Sequence, residues 1–173
     1  MNIGNMRYFF IFCLLACAAL QQSCSSSYSF TGASISPEVQ TVSVRYFNNV
    51  ASLTPPTESQ KFTEALRDIF LSQTSLTLVE NHGDLQFEGQ IVDYRTDPVA
   101  IQSNDEAALT RLSVSVKVKF TNEIEPKKSF EQTFTRYEDY QSSLNLSLVE
   151  EDLLRSINEQ LVQDIFNRSV TDW

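Results

Sequence analysis

Leu109-Thr110-Arg111-Leu112-Ser113-Val114-Ser115-Val116-Lys117-Val118-Lys119-Phe120-Thr121 alternates without a break. Leu112, Val114, Val116, Val118 and Phe120 point one way; Arg111, Ser113, Ser115, Lys117 and Lys119 point the other. A repeat of two is the repeat of a strand, because successive side chains leave a pleated backbone on opposite sides. The segment is therefore a strand with one apolar and one polar face. The fold must contain a sheet that is covered on one side.

Working outward, Asn122 to Lys128 contains Pro126 and turns the chain, and Phe130 to Tyr140 returns as a strand with Phe130 and Phe134 among Thr and charged residues. Upstream, Leu85 to Tyr94 places Leu85, Phe87 and Ile91 on one face and Gln86, Glu88 and Gln90 on the other. Gly89 inside it marks a bulge or a close approach of another chain segment. Leu76 to Val79 is a short strand, and the turn Glu80-Asn81-His82-Gly83-Asp84 predicts a hairpin with the strand that follows. The first strand is Val39 to Phe47, with Val42, Val44 and Tyr46 inward and Thr41, Ser43 and Arg45 outward. Asn48 to Pro56 and Thr96 to Ala107 are expected as loops.

Two helices complete the pattern. Thr57 and Gln60 have the spacing of a capping box, and Phe62, Ala65, Leu66, Ile69 and Phe70 form one apolar stripe behind it. Ser147 and Glu150 repeat the capping spacing before a stripe of Leu154, Ile157, Leu161 and Ile165, widened by Leu153, Val162 and Phe166. Stripes this broad cover a sheet face. The predicted fold is α+β: a two-layer sandwich, with a mixed, mostly antiparallel sheet of about four to five strands and both helices on one face.

The N-terminus has a different character. Arg7 precedes an apolar run from Tyr8 to Leu20, and polar chain begins at Gln21-Gln22-Ser23-Cys24. About 13 residues is too short to span a bilayer, which takes roughly 20, and the order of charge, apolar run and small residues is that of an export signal. Residues 1–23 read as a lipoprotein signal and Cys24 as the acylated residue, with a Ser-rich tether over residues 24–37 and one domain over 38–173. Cys17 is the alternative: Leu14-Leu15-Ala16-Cys17 fits the usual pattern better but leaves only a stub of hydrophobic segment.

Composition restricts the chemistry. The net charge is −9, and losing Arg7 with the signal makes it −10, which argues against nucleic-acid binding, where clustered Lys and Arg must neutralise phosphates. The one histidine, His82, stands in a predicted turn, so neither a two-histidine metal site nor a stable Ser-His-Asp arrangement is available. Glu150, Glu151 and Asp152 fit the first turn of a helix, where the dipole favours negative charge. No catalytic residue, metal site or cofactor is expected, apart from the covalent lipid.

Tyr28-Ser29-Phe30-Thr31-Gly32-Ala33-Ser34-Ile35-Ser36, Phe62-Thr63-Glu64-Ala65-Leu66-Arg67-Asp68, Gly83-Asp84-Leu85-Gln86-Phe87-Glu88-Gly89 and Val116-Lys117-Val118-Lys119-Phe120-Thr121-Asn122 together resemble the LptE-type lipopolysaccharide-assembly lipoproteins, in the form found in Bacteroidetes. The resemblance runs from about Cys24 to Trp173 and rests on the order and spacing of the pieces. It implies an α+β domain anchored in the inner leaflet of the outer membrane, on the periplasmic side. It also implies a one-to-one complex with a large β-barrel, LptD, which the domain helps to fold and plugs, and contact with lipopolysaccharide. A plug needs a compact domain, a tether and a polar surface able to meet a polar barrel interior.

The expected lipopolysaccharide contact is the strand face bearing Arg111, Lys117 and Lys119, extended by Lys127 and Lys128 at the adjoining turn. The competing reading is a solvated sheet face whose lysines prevent edge pairing. Two other functions use the same sequence: an adaptor lipoprotein of another envelope or secretion complex that binds no glycolipid, and a small envelope hydrolase built around His82.

Overall fold

A computed structural model describes residues 35–99 and 109–170. The signal, Cys17, Cys24 and the tether up to residue 34 lie outside the described residues, as does most of the expected 96–107 loop. The elements are β1 (Thr41–Val44), β2 (Asn48–Asn49), α1 (Glu58–Gln73), β3 (Thr77–Leu78), β4 (Leu85–Pro98), β5 (Leu109–Asn122), a 3₁₀ turn (Pro126–Lys128), β6 (Phe130–Gln141) and α2 (Leu146–Val170). They form an α+β fold in which both helices cover one face of a mixed, six-stranded sheet of order β3-β1-β4-β5-β6, with β2 also paired to β4.

The long ladders β4–β5 and β5–β6 are antiparallel, whereas β1 pairs with β3 and β4 in parallel. The inward residues of β5 (Leu112, Val114, Val116, Val118 and Phe120) are all buried, against Phe62, Leu66 and Phe70 of α1 and Ile157, Leu161 and Ile165 of α2 in one core. An aromatic ladder ties the layers together. Phe166 of α2 meets Phe70 of α1 at 5.1 Å between ring centroids, Phe70 meets Phe87 of β4 at 4.8 Å, and Phe87 meets Phe120 of β5 at 4.8 Å. Each such pair adds about 1 kcal/mol beyond the area it buries.

Several local expectations are corrected. The hairpin between β3 and β4 does not form, because both strands run parallel to β1 and flank it. The intervening chain passes across β1 instead: Gly83 lies so close that a Cβ there would sit 2.6 Å from Ser43 N, and its amide donates to Ser43 Oγ. His82, exposed beside it, holds the left-handed φ of 55° that makes this crossing possible. Asp84 then fastens the crossing to β1, since its Oδ2 accepts the amides of Gln40 and Thr41 and the Thr41 hydroxyl at 2.8–2.9 Å.

The inward residue of the first strand is Phe47, not Tyr46, which is half exposed. Val44 pairs with Phe87 and Asn48 with Gln90, so four steps on the first strand oppose three on β4. One extra residue reverses the alternation and swings Phe47 into the core. The same segment continues into β2, within the stretch expected to be loop. β4 has its own irregularity, between Ile91 and Asp93, after which Tyr94 turns inward. At its far end β4 carries on through Thr96–Pro98, residues expected in the loop.

Neither capping box forms. Thr57 adopts helical backbone angles and makes no side-chain cap bond, so Gln60 pairs with Glu64 instead. At α2 the cap is Asn145, whose Oδ1 accepts the Ser147 amide at 3.1 Å and its hydroxyl at 3.0 Å. Asn satisfies a free helix amide as well as Ser does, and it stands two residues earlier in the chain than Ser147.

Candidate functional site

The sheet face opposite the helices is built by alternation. Every second residue of β4, β5 and β6 projects from it, and the register decides which charges meet. Glu88 is the direct partner of Lys119, and Lys119 of Glu131. Lys119 Nζ lies 2.6 Å from Glu88 Oε1, and Arg45 Nη1 donates to the other oxygen of the same carboxylate at 3.1 Å. Lys117 pairs with Glu131 at 2.5 Å.

The hydrogen bond from Lys119 holds the Glu88 carboxyl below its ordinary range, and the same bond raises the Lys119 ammonium. Lys117 lowers Glu131 in the same way. These groups are largely exposed, so each pair contributes little to stability. They do hold the side chains in a fixed pattern.

Arg45, Tyr46, Asn48, Glu88, Gly89, Gln90, Lys117, Lys119 and Glu131 line an open cleft of about 380 Å³. It holds three cations against two carboxylates, a local charge of +1 on a chain of −9. Its floor lies over Gly89, where the backbone of β5 and the Phe47 ring leave no room for a side chain.

The structure thus brings Lys117 and Lys119 together and adds Arg45, an outward residue of the first strand. Alternation put Arg45 on this face, but only the β1–β4 register places it beside Glu88. Arg111 is elsewhere. It stands eight residues from Lys119 on β5, about 26 Å along the strand, where a bidentate pair to Asp139 at 2.7 and 2.9 Å and the Tyr137 ring at 3.6 Å hold it. The bond to Asp139 raises the guanidinium's pKa and lowers the carboxyl's. Lys127 and Lys128 lie on the 3₁₀ turn beyond the end of β5, with Lys128 3.0 Å from Glu125 and Lys127 exposed. The five predicted cations therefore occupy three places.

Among the described residues no group of three or more His, Cys, Asp and Glu side chains is arranged to hold a metal, and no helix is long and apolar enough to cross a membrane. The buried polar residues are structural. Glu58, 1% exposed, accepts from Asn158 Nδ2 at 2.6 Å, and Tyr94 donates to Glu150 beside them. Burial raises the pKa of both Glu58 and Tyr94.

A helix layer on one face of a mixed sheet, with a patterned polar surface on the other, defines a small α+β domain of the helix-on-sheet class. The chain belongs to the LptE lipopolysaccharide-assembly family, whose model matches residues 39–169. Among solved structures it is similar to a Xanthomonas campestris protein, with a TM-score of 0.51 and 13% identity over 79% of this chain and 91% of that one. It is also similar to a Helicobacter pylori homologue of neuraminyllactose-binding hemagglutinin, with a TM-score of 0.50 and 10% identity over 81% and 88%. At these identities the likeness is one of fold. No curated protein matches the chain.

Proposed function

We propose that this protein is a non-catalytic lipoprotein of the outer membrane, held on the periplasmic side by acyl chains on Cys24, or on Cys17. Residues 1–23 are its signal, 24–37 its tether and 38–173 its working domain. In this reading the domain partners a large LptD-type β-barrel, helps it to assemble, occupies its lumen and contacts lipopolysaccharide on the way to the cell surface. The observation that carries the reading is the family match, which spans the folded core from before β1 to the last turn of α2.

The cleft supports the lipopolysaccharide contact. Arg45, Lys117 and Lys119 leave one positive charge in excess there, and a phosphate or carboxylate arriving from outside can compete for donors already held in place. Arg111, Lys127 and Lys128 are separate, secondary contacts in this scheme. A second reading also has an observation in its favour. Because Arg45, Lys117, Lys119 and Arg111 all have carboxylate partners, the face also suits an adaptor that meets a polar protein surface and no glycolipid.

Affinity purification of the tagged chain from detergent-solubilised outer membranes separates the two. A large β-barrel as main partner, with lipopolysaccharide in the complex, is expected. A secretin or a peptidoglycan-bound complex as main partner would replace the proposal with the adaptor.

A further inference from the structure

β6 is 12 residues long, ends the sheet, and pairs only with β5. The bonds of β5 show which backbone groups of β6 are left over. The Glu123 amide donates to Asp84 O and the Leu109 carbonyl accepts from the Val99 amide, so odd-numbered residues of β5 bond toward β4. The Asn122 amide points the other way, to Ser129 Oγ, so even-numbered residues bond toward β6. Opposed residues of an antiparallel ladder exchange both bonds or neither, and even residues of β5 face even residues of β6. The N–H and C=O groups of Glu131, Thr133, Thr135, Tyr137 and Asp139 therefore point off the sheet. All five residues are exposed, and among the described residues no group bonds these amides and carbonyls.

An edge of this length is ordinarily blunted by Pro, Lys or a bulge. β6 contains neither Pro nor Lys, and its register with β5 runs unbroken. Lys117 and Lys119, whose sequence pattern allowed a role in guarding an edge, stand one strand in. The opposite edge, β3, is only two residues long. The bare edge accepts a strand, and its side chains decide which.

Two copies of β6 can be laid antiparallel about a two-fold axis in several registers. Centred on Thr135, Glu131 meets Asp139; centred on Arg136 or on Glu138, that residue meets itself; centred on Phe134, no two charges meet. Centred on Tyr137, Arg136 meets Glu138 of the second copy twice, Phe134 meets Tyr140 twice, and no like charges are opposed. Both charged groups have capacity left for this. Arg136 gives Nε and Nη2 to Asp164 and keeps Nη1, while Glu138 Oε1 accepts from Ser156 and Gln160 and Oε2 stays open.

We infer that β6 is a self-association edge, on which a second copy of this chain adds its own β6 antiparallel about a two-fold axis at Tyr137, making one sheet continuous through both copies. The contact is isologous, so it closes at a dimer. The inference goes beyond the barrel reading and does not rest on it.

The test is sedimentation velocity of the full chain in density-matched detergent across a dilution series. A reversible monomer–dimer equilibrium is expected. Thr135→Pro removes an amide hydrogen that points off the sheet, so the β5–β6 ladder survives, and dimerisation should weaken roughly tenfold or more, since the two-fold axis removes that bond twice. A second pair of variants reads the register without relying on that one. Opposed residues that exchange hydrogen bonds have Cα atoms about 5.5 Å apart, within disulfide reach. Tyr137→Cys should therefore give a disulfide-linked dimer under mild oxidation well above the wild-type background, whereas Thr133→Cys, which faces Gln141 of the second copy, should not. A chain that stays monomeric at every concentration, a folded Thr135→Pro that dimerises as wild type does, or equal cross-linking at positions 133 and 137 overturns the inference, and each leaves the barrel reading intact.

Discussion

The phenyl ring of Phe47 fills the space over Gly89, so closely that a methyl group at position 89 would lie 2.5 Å from Phe47 Cε1 and closer still to the carbonyl oxygen of Lys117. This pair links core and surface. Phe47 reaches its place through the extra residue between β1 and β2, and Gly89 is at once the ring's neighbour and part of the cleft that holds Lys117 and Lys119. Gly89→Ala is therefore expected to destabilise the domain by about 3 kcal/mol, at the upper end for overpacking. Phe47→Leu in the same chain should restore only part, because the nearest obstacle is backbone. Chemical denaturation of the single and double variants measures both. Full recovery in the double variant would contradict the geometry.

The helix ends give a sharper contrast. Asn145→Ala removes the acceptor of the Ser147 amide and should cost about 1 kcal/mol. Thr57→Ala removes no cap bond and should cost no more than a few tenths, as expected for a surface change. Equal losses at the two positions, read from thermal melts, would restore the capping box at α1.

Two carboxylates titrate in opposite senses. Backbone amides from Gln40 and Thr41 lower the Asp84 pKa below its ordinary 3.8, so its contribution is present above that value and is lost as pH falls through the lowered one. Burial raises Glu58 above its ordinary 4.5; its favourable contribution is complete below that value and is lost as pH rises through the raised one. Glu58→Gln should therefore gain stability relative to wild type on going from pH 4 to pH 8. Asp84→Asn should lose less than wild type between pH 5 and pH 2. Melting curves across this range check both signs.

On the sheet face, Lys117→Gln/Lys119→Gln should fold with stability within about 1 kcal/mol of wild type, since exposed pairs contribute little. Binding of purified lipopolysaccharide should weaken and become less salt-dependent. The neutral variant is preferable to Lys→Glu, which would set like charges against Glu88 and Glu131. Unchanged binding would remove Lys117 and Lys119 from the lipopolysaccharide contact.

How far the sequence could be read follows from which signals were local. The uninterrupted alternation of β5 and the stripes of both helices depend on burial alone, and they gave the layer arrangement directly. Tyr46 and Phe47 were exchanged because a bulge is a property of the pair β1–β4 and leaves no mark in one strand. The crossing at Gly83 looked like a hairpin turn for a related reason: Asn, Gly and Asp signal a change of direction but not which strand lies beside it. At the candidate site, alternation correctly placed Lys117 and Lys119 on one surface. It could not show that Glu88 and Glu131 would meet them, or that Lys61 of α1 would pair with Glu151 of α2, 90 residues away in the chain.

The most direct measurement is the amount of lipopolysaccharide at the cell surface after this protein is depleted. Surface lipopolysaccharide should fall while the molecule accumulates at the inner membrane, and the wild-type chain should restore it. Normal surface lipopolysaccharide in fully depleted cells would contradict a role in its assembly.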